Sequence, residues 1–139
     1  MSIRLAHVED APAMARVMVD TYLAAHRDQM PEAAWQKRKQ EWTYVVSEQG
    51  WARTITDIAN GSSQLCVYVA TTEADEVVGL VVGYPTESDA QTGEISALYV
   101  RQDHQGTTRP LRVALNGNFD RNLGSSGRLR FGWRRPWCR

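Results

Sequence analysis

The chain has 139 residues, 42% hydrophobic, 23% charged and 9% aromatic, the size and balance of one globular domain. Its 16 Lys+Arg match its 16 Asp+Glu, and two cysteines, Cys66 and Cys138, make neither a disulfide framework nor a zinc pattern. It has no apolar run of about 18 residues and no apolar leader after Met1. No membrane span or secretory signal is therefore expected, and the default compartment is the cytoplasm.

The zero net charge hides a split. Residues 1–106 carry 8 Lys+Arg against 15 Asp+Glu, a net −7, whereas residues 107–139 carry 8 Arg against Asp120 alone, a net +7. The composition therefore breaks near residue 107, which divides the chain into a domain over 1–115 and an Arg/Gly/Trp-rich tail over 116–139.

In chain order, Ile3-Arg4-Leu5-Ala6-His7 alternates enough to predict a short strand. Glu9-Asp10-Ala11-Pro12 is a helix start, with acidic capping candidates and a proline in the first turn. Met14, Val17, Met18, Tyr22 and Ala25 then form one apolar stripe on a helix of about 11–25. Pro31 opens a second helix carrying Trp35, Trp42, Val45 and Val46, and Lys37-Arg38-Lys39 forms its solvated face. Gln49-Gly50 interrupts it. Trp51, Ile55 and Ile58 resume the helical spacing as far as Asn60-Gly61, a candidate left-handed cap.

Three strand candidates follow. Leu65 to Ala70 is β-rich, Val77 to Tyr84 is nearly continuous apolar, and Glu94 to Val100 is the third, with Pro85 to Thr92 a polar loop before it. Gly79 and Gly83 mark bulges or close packing, and Cys66 reads as a small buried hydrophobe. A helix after Thr107 is supported by Pro110, Leu111, Ala114, Leu115 and Phe119, and no strand is expected from Asn116 to Arg139. The order is β-α-α-β-β-β-(α). No metal-ligand spacing stands out. A helix N-terminus behind a glycine is a site for phosphate, because its unpaired N–H groups and partial positive charge converge there.

This element order, with Ala97-Leu98-Tyr99-Val100 followed by Asp103-His104-Gln105-Gly106, resembles the GNAT N-acetyltransferase superfamily over residues 3–107. The resemblance implies an α/β fold with a central, mostly antiparallel sheet flanked by helices. It implies transfer of an acetyl group from acetyl-CoA to a primary amine of a small molecule or protein. Leu98, Tyr99 and Val100 would line the cofactor, and Gln105, Gly106, Thr107, Thr108 and Arg109 would meet its phosphates. Glu94 matches the family's base, the alternative being an exposed strand-end acid. Tyr22 and His26 would border the amine.

Two departures stand beside the match. Thr108 and Pro110 occupy the two signature glycine positions, where Cβ atoms crowd the approach and Pro110 lacks an N–H; Arg109 and Arg112 could offset the loss by charge. The family's later strands, and the helix with its usual acidic Tyr, have no counterpart in the sequence. Truncation or divergence after Gly106, as from a lost reading frame, would leave such a chain. The alternative function is a non-catalytic remnant that binds an acyl-CoA or a protein partner. An uncovered sheet edge would favour a homodimer. Arg128, Arg130, Arg134 and Arg135 alternate with Phe131, Trp133 and Trp137 as in nucleic-acid binders, but the acidic body opposes a nucleic-acid partner.

Overall fold

The computed structural model describes residues 1–86, 89–106, 122–123 and 129–132. The predicted helix after Thr107, the tail residues Arg128, Trp133, Arg134, Arg135 and Trp137, and Cys138 lie outside the described residues.

Strand β1 is Ser2–Leu5. A single 3-10 turn, Val8–Asp10, leads into helix α1, Ala11–His26, with proline in its first turn as the sequence suggested. Met14 and Val17 of the predicted stripe are buried, whereas Ala25 is exposed. Helices α2, Glu32–Glu41, and α3, Tyr44–Ala59, follow. The break therefore falls at Trp42-Thr43 and not at Gln49-Gly50. Thr43 is extended, with φ −83° and ψ 164°, and its Oγ1 accepts from the Val46 N–H at 3.3 Å. That cap starts a new helix, while Gly50 in its interior costs only about 1 kcal/mol relative to alanine. Gly61 has φ +81° and closes α3 as the predicted left-handed cap.

Strands β2, Cys66–Thr71, β3, Val77–Thr86, and β4, Asp89–Val100, form an antiparallel meander. The expected polar loop over 85–92 is mostly strand, with Thr86 paired to Asp89. Pro85 is tolerated because the register shifts there, at a bulge that needs no N–H. Cys66 is buried, as expected of a small apolar side chain. Two further strands, β5, Asn122–Leu123, and β6, Leu129–Gly132, correct the expectation of none in the tail. The sheet order is β1-β2-β3-β4-β6-β5.

One main core forms where α1 and α3 cover the sheet. Met14, Val17, Trp51 and Ile55 meet Val67, Val69, Leu80 and Val82. Met14 and Leu80 are fully buried, and each such side chain stabilises the fold by roughly 1.5–3 kcal/mol. On the opposite face Ala70 and Val78 gather Met1, Ile3 and Val100. Gly79 sits where a Cβ would come within 3.2 Å of the Tyr99 carbonyl oxygen, which is the close packing expected of it. Among the described residues no helix is long and apolar enough to cross a membrane.

Arg4 of β1 ties the first turn down. Its guanidinium donates to both Asp10 carboxylate oxygens, at 2.7 and 2.9 Å, and the His7 N–H donates to the same carboxylate at 2.7 Å. Arg4, then the His7 N–H, holds the Asp10 carboxyl below its usual range against the opposing effect of burial. A lowered folded-state value means that this stability is present above an ordinary aspartate pKa of about 3.9 and is lost as pH falls through the lowered one. Asp10→Asn is expected to cost about 1–3 kcal/mol at pH 7 in denaturant melts. It should also lose less stability than the parent below about pH 4.

Candidate functional site

The site is set by which way the backbone of β4 points. The Arg101 N–H donates to the Val78 carbonyl at 2.8 Å. Antiparallel pairs alternate between bonded and non-bonded. With Val100 opposite Gly79, Tyr99 opposite Leu80, Leu98 opposite Val81 and Ala97 opposite Val82, this bond makes Tyr99 and Ala97 the bonded partners of β3. The N–H and C=O groups of Leu98 and Val100 therefore face the other edge. Strand β6 covers that edge only at Thr92, Gly93 and Glu94, opposite Gly132, Phe131 and Arg130. Among the described residues nothing pairs with that side of 95–100 except a side chain, the Gln105 amide, which donates to the Val100 carbonyl at 3.0 Å. Among the described residues the predicted open edge is thus covered by a strand at one end only.

The side chains of β4 divide between two faces. Leu98 is exposed and Val100 packs with Ala70 and Val78, whereas Ala97 and Tyr99 lie against the main core. Burial, and secondarily the nearby Tyr22, pushes the Tyr99 phenol up, so it stays protonated at neutral pH.

Glu94 lies within β4, not at its start as the sequence suggested, because the strand begins at Asp89. A register shift between Val82 and Gly83 leaves Ser96 without a counterpart and pairs Glu94 with Tyr84. Tyr84 shares the face of Leu80 and Val82, so the bulge turns Glu94 toward the helices. Glu94 is 8% exposed and accepts from the Tyr84 hydroxyl at 2.6 Å. It is a buried, oriented carboxylate and not an exposed strand-end acid.

Beyond β4 a 3-10 turn, Gln102–His104, leads to Gly106, which has φ +93° and nothing within 4 Å of where a Cβ would stand. The chain thus turns in a left-handed conformation with open space beside it. Thr107, Thr108, Arg109, Pro110 and Arg112 lie outside the described residues. Arg101 Nε and Nη2 donate to the two Asp103 oxygens at 2.7 and 2.9 Å, and Nη1 donates to Glu76.

Tyr22 and His26 come together at the end of α1. Their rings stack with centroids 4.1 Å apart, and Trp42 meets Tyr22 edge-on at 4.5 Å. His26 Nδ1 lies 2.9 Å from the Tyr22 carbonyl, which only accepts, so Nδ1–H is the donor. In the neutral ring Nε2 then carries the lone pair. Arg38 lies over Tyr22 and Trp42, and Arg27 and Lys39 over Trp35. The Lys37-Arg38-Lys39 run is exposed, as expected of a solvated face, but two of its members also cover rings.

Tyr84 and Trp42 were missed as site residues in the sequence. Trp42 was visible only as part of an apolar stripe, and no local signal marked Tyr84. Helix α1 packs against β4. Among the described residues no cluster of His, Cys, Asp and Glu could hold a metal.

A family model described as the acetyltransferase (GNAT) family matches residues 21–108. No curated protein matches the sequence. Solved structures share the fold, the following two among them. The PaiA N-acetyltransferase of Thermoplasma acidophilum, in complex with coenzyme A, has a TM-score of 0.58 at 10% identity, over 96% of this chain and 98% of that one. A mutant of the BH1408 protein of Bacillus halodurans has a TM-score of 0.55 at 22% identity, over 84% of this chain and 73% of that one. At these identities the likeness is one of fold.

The Gly106 geometry yields a test. Gly106→Ala is expected to destabilise the protein by about 1–2 kcal/mol in thermal or denaturant melts, entirely through backbone strain, since no neighbour obstructs a methyl group. Gly106→Asn should recover part of that loss, because asparagine tolerates positive φ better than alanine.

Proposed function

The chain belongs to the acetyltransferase (GNAT) family, and from that premise we propose that it is an N-acetyltransferase moving an acetyl group from acetyl-CoA to a primary amine of a small molecule or protein. The observation that carries this reading is the side of β4 beyond Glu94, where Leu98 and Val100 turn their backbone groups away from β3 and no strand among the described residues pairs with them. An extended arm bearing amides, such as that of coenzyme A, is the natural complement of such an edge. The space beside Gly106 suits a bulky anion. The coenzyme A bound to PaiA supports the same donor.

When bound, acetyl-CoA supplies a thioester carbonyl as the electrophile. Leu98, Tyr99 and Val100 hold the donor along β4. Gly106, with Thr107, Thr108 and Arg109 after it, meets its phosphates. Gln105 contributes indirectly, by fixing the Val100 carbonyl. Tyr22 and His26 border the amine at the end of α1. Glu94 accepts the amine proton, directly or through water, with its carboxylate oriented by Tyr84. Hydrogen-bond donors aimed at an acyl oxygen stabilise the charge that develops there, and in this reading the Leu98 and Val100 N–H groups serve as those donors.

Incubation with acetyl-CoA and a panel of primary amines, followed by thiol release, is expected to show turnover. Glu94→Gln should lower kcat by about 10²–10⁴-fold, the usual worth of a general base, and leave acetyl-CoA affinity unchanged. Binding without turnover would leave an acyl-CoA-binding remnant. No thiol release and no thermal shift with the cofactor would remove the transferase reading altogether.

A further inference from the structure

Arg101 is the first residue past β4, and its surroundings differ from those of a phosphate ligand. Its backbone N–H is fixed to Val78 at 2.8 Å. Its guanidinium grips Asp103 with two parallel bonds, reaches Glu76 with a third nitrogen, and lies 3.1 Å from His104 Nε2. One cation between two carboxylates has no charge to spare for an anion.

What the cluster does is join two pieces of chain. Asp103 and His104 belong to the turn that delivers Gln105 and Gly106. Glu76 belongs to the β2–β3 turn, which is itself well tied. Thr72 N–H donates to the Glu76 carbonyl at 2.9 Å, Asp75 N–H to the Thr72 carbonyl at 3.0 Å, and Glu76 N–H to Thr72 Oγ1 at 3.2 Å. Asp75 takes the uncommon φ of +60°, and Arg4 of β1 donates to its carboxylate at 3.2 Å. The 102–106 turn is thus clamped to a hairpin end that is already braced from the first strand.

We propose that Arg101, with Glu76 and Asp103, is a positioning clamp that presets the Gly106 turn for the phosphates of the donor. This rests on the acetyl-CoA reading above. Ordering a loop before binding removes a cost otherwise taken from affinity, a cost of order one unit of log Kd for one or two immobilised side chains. The clamp touches no reacting atom, so it acts on binding and not on the chemical step.

Glu76→Gln is the decisive variant. Glu76 is 57% exposed, and surface ion pairs contribute little to stability, so the fold survives the change. Removing a negative charge near an anion site would by itself tighten binding. Loss of the clamp weakens it, so the two effects have opposite signs. The expected result is acetyl-CoA binding weaker by about three- to tenfold, with kcat at saturation unchanged. Acetyl-pantetheine, which has no pyrophosphate, should react as with the parent. Arg101→Lys keeps the charge but loses the fork, and should behave as Glu76→Gln does. Unchanged or tighter acetyl-CoA binding would overturn the proposal, as would an equal loss with acetyl-pantetheine. Amide hydrogen exchange at 102–106 in the ligand-free protein is the independent readout. Faster exchange in Glu76→Gln supports the clamp and unchanged exchange overturns it, even if the parent binds no acetyl-CoA and the transferase reading fails.

Discussion

In an antiparallel ladder a single hydrogen bond fixes the direction of every backbone group as far as the next bulge. In this protein that bond runs from the Arg101 N–H to the Val78 carbonyl. Once it is made, Leu98 and Val100 cannot also bond to β3. Their polar groups must find water, another strand or a ligand. The candidate donor site is therefore a consequence of register more than of any special side chain. The side chains tune it: Gln105 occupies the Val100 carbonyl, and buried Glu94 accepts from Tyr84 where β6 still covers the edge.

That register is held by packing on both faces. Leu80 and Val82 lie under α1 and α3, and Val78 joins Ala70 on the far side. Gly79 permits the close approach of β3 to β4. Arg4 and Arg101 reach the β2–β3 turn from opposite ends of the meander and meet its carboxylates. Arg4 is held well above its ordinary pKa by Asp10 first and Asp75 after it, and Arg101 by Asp103 first and Glu76 after it. The hairpin end is thus a shared anchor for the first strand and for the turn after the fourth.

Local periodicity made much of this legible. The α1 stripe at Met14 and Val17, the Asn60-Gly61 cap and the three apolar strands follow from neighbours a few residues apart. The run from Ala97 to Gly106 carried enough of the family's pattern to identify it, and the family match covers residues 21–108. What was not legible depends on pairing across the sheet. The bulge at Ser96, the Tyr84 partner of Glu94 and the β4–β6 contact are decisions of register between distant segments, which no local spacing encodes. The helix break at Thr43 is a different case. There a hydroxyl cap had a sequence signature, but the neighbouring Gly50 drew the boundary away from it.

Side chains on a strand repeat every two residues, so one surplus residue works as a parity shift. Upstream of Ser96 the odd and even positions of β4 exchange sides relative to those downstream. The carboxylate at 94 is thereby sent to the helical layer, while Leu98, also an even position, stays on the opposite side. Deleting that one residue would invert the acidic half of the strand and leave the half nearer Gly106 untouched. Under the proposed function, the proton acceptor and the donor-docking stretch would then be free to diverge separately along a single length of chain.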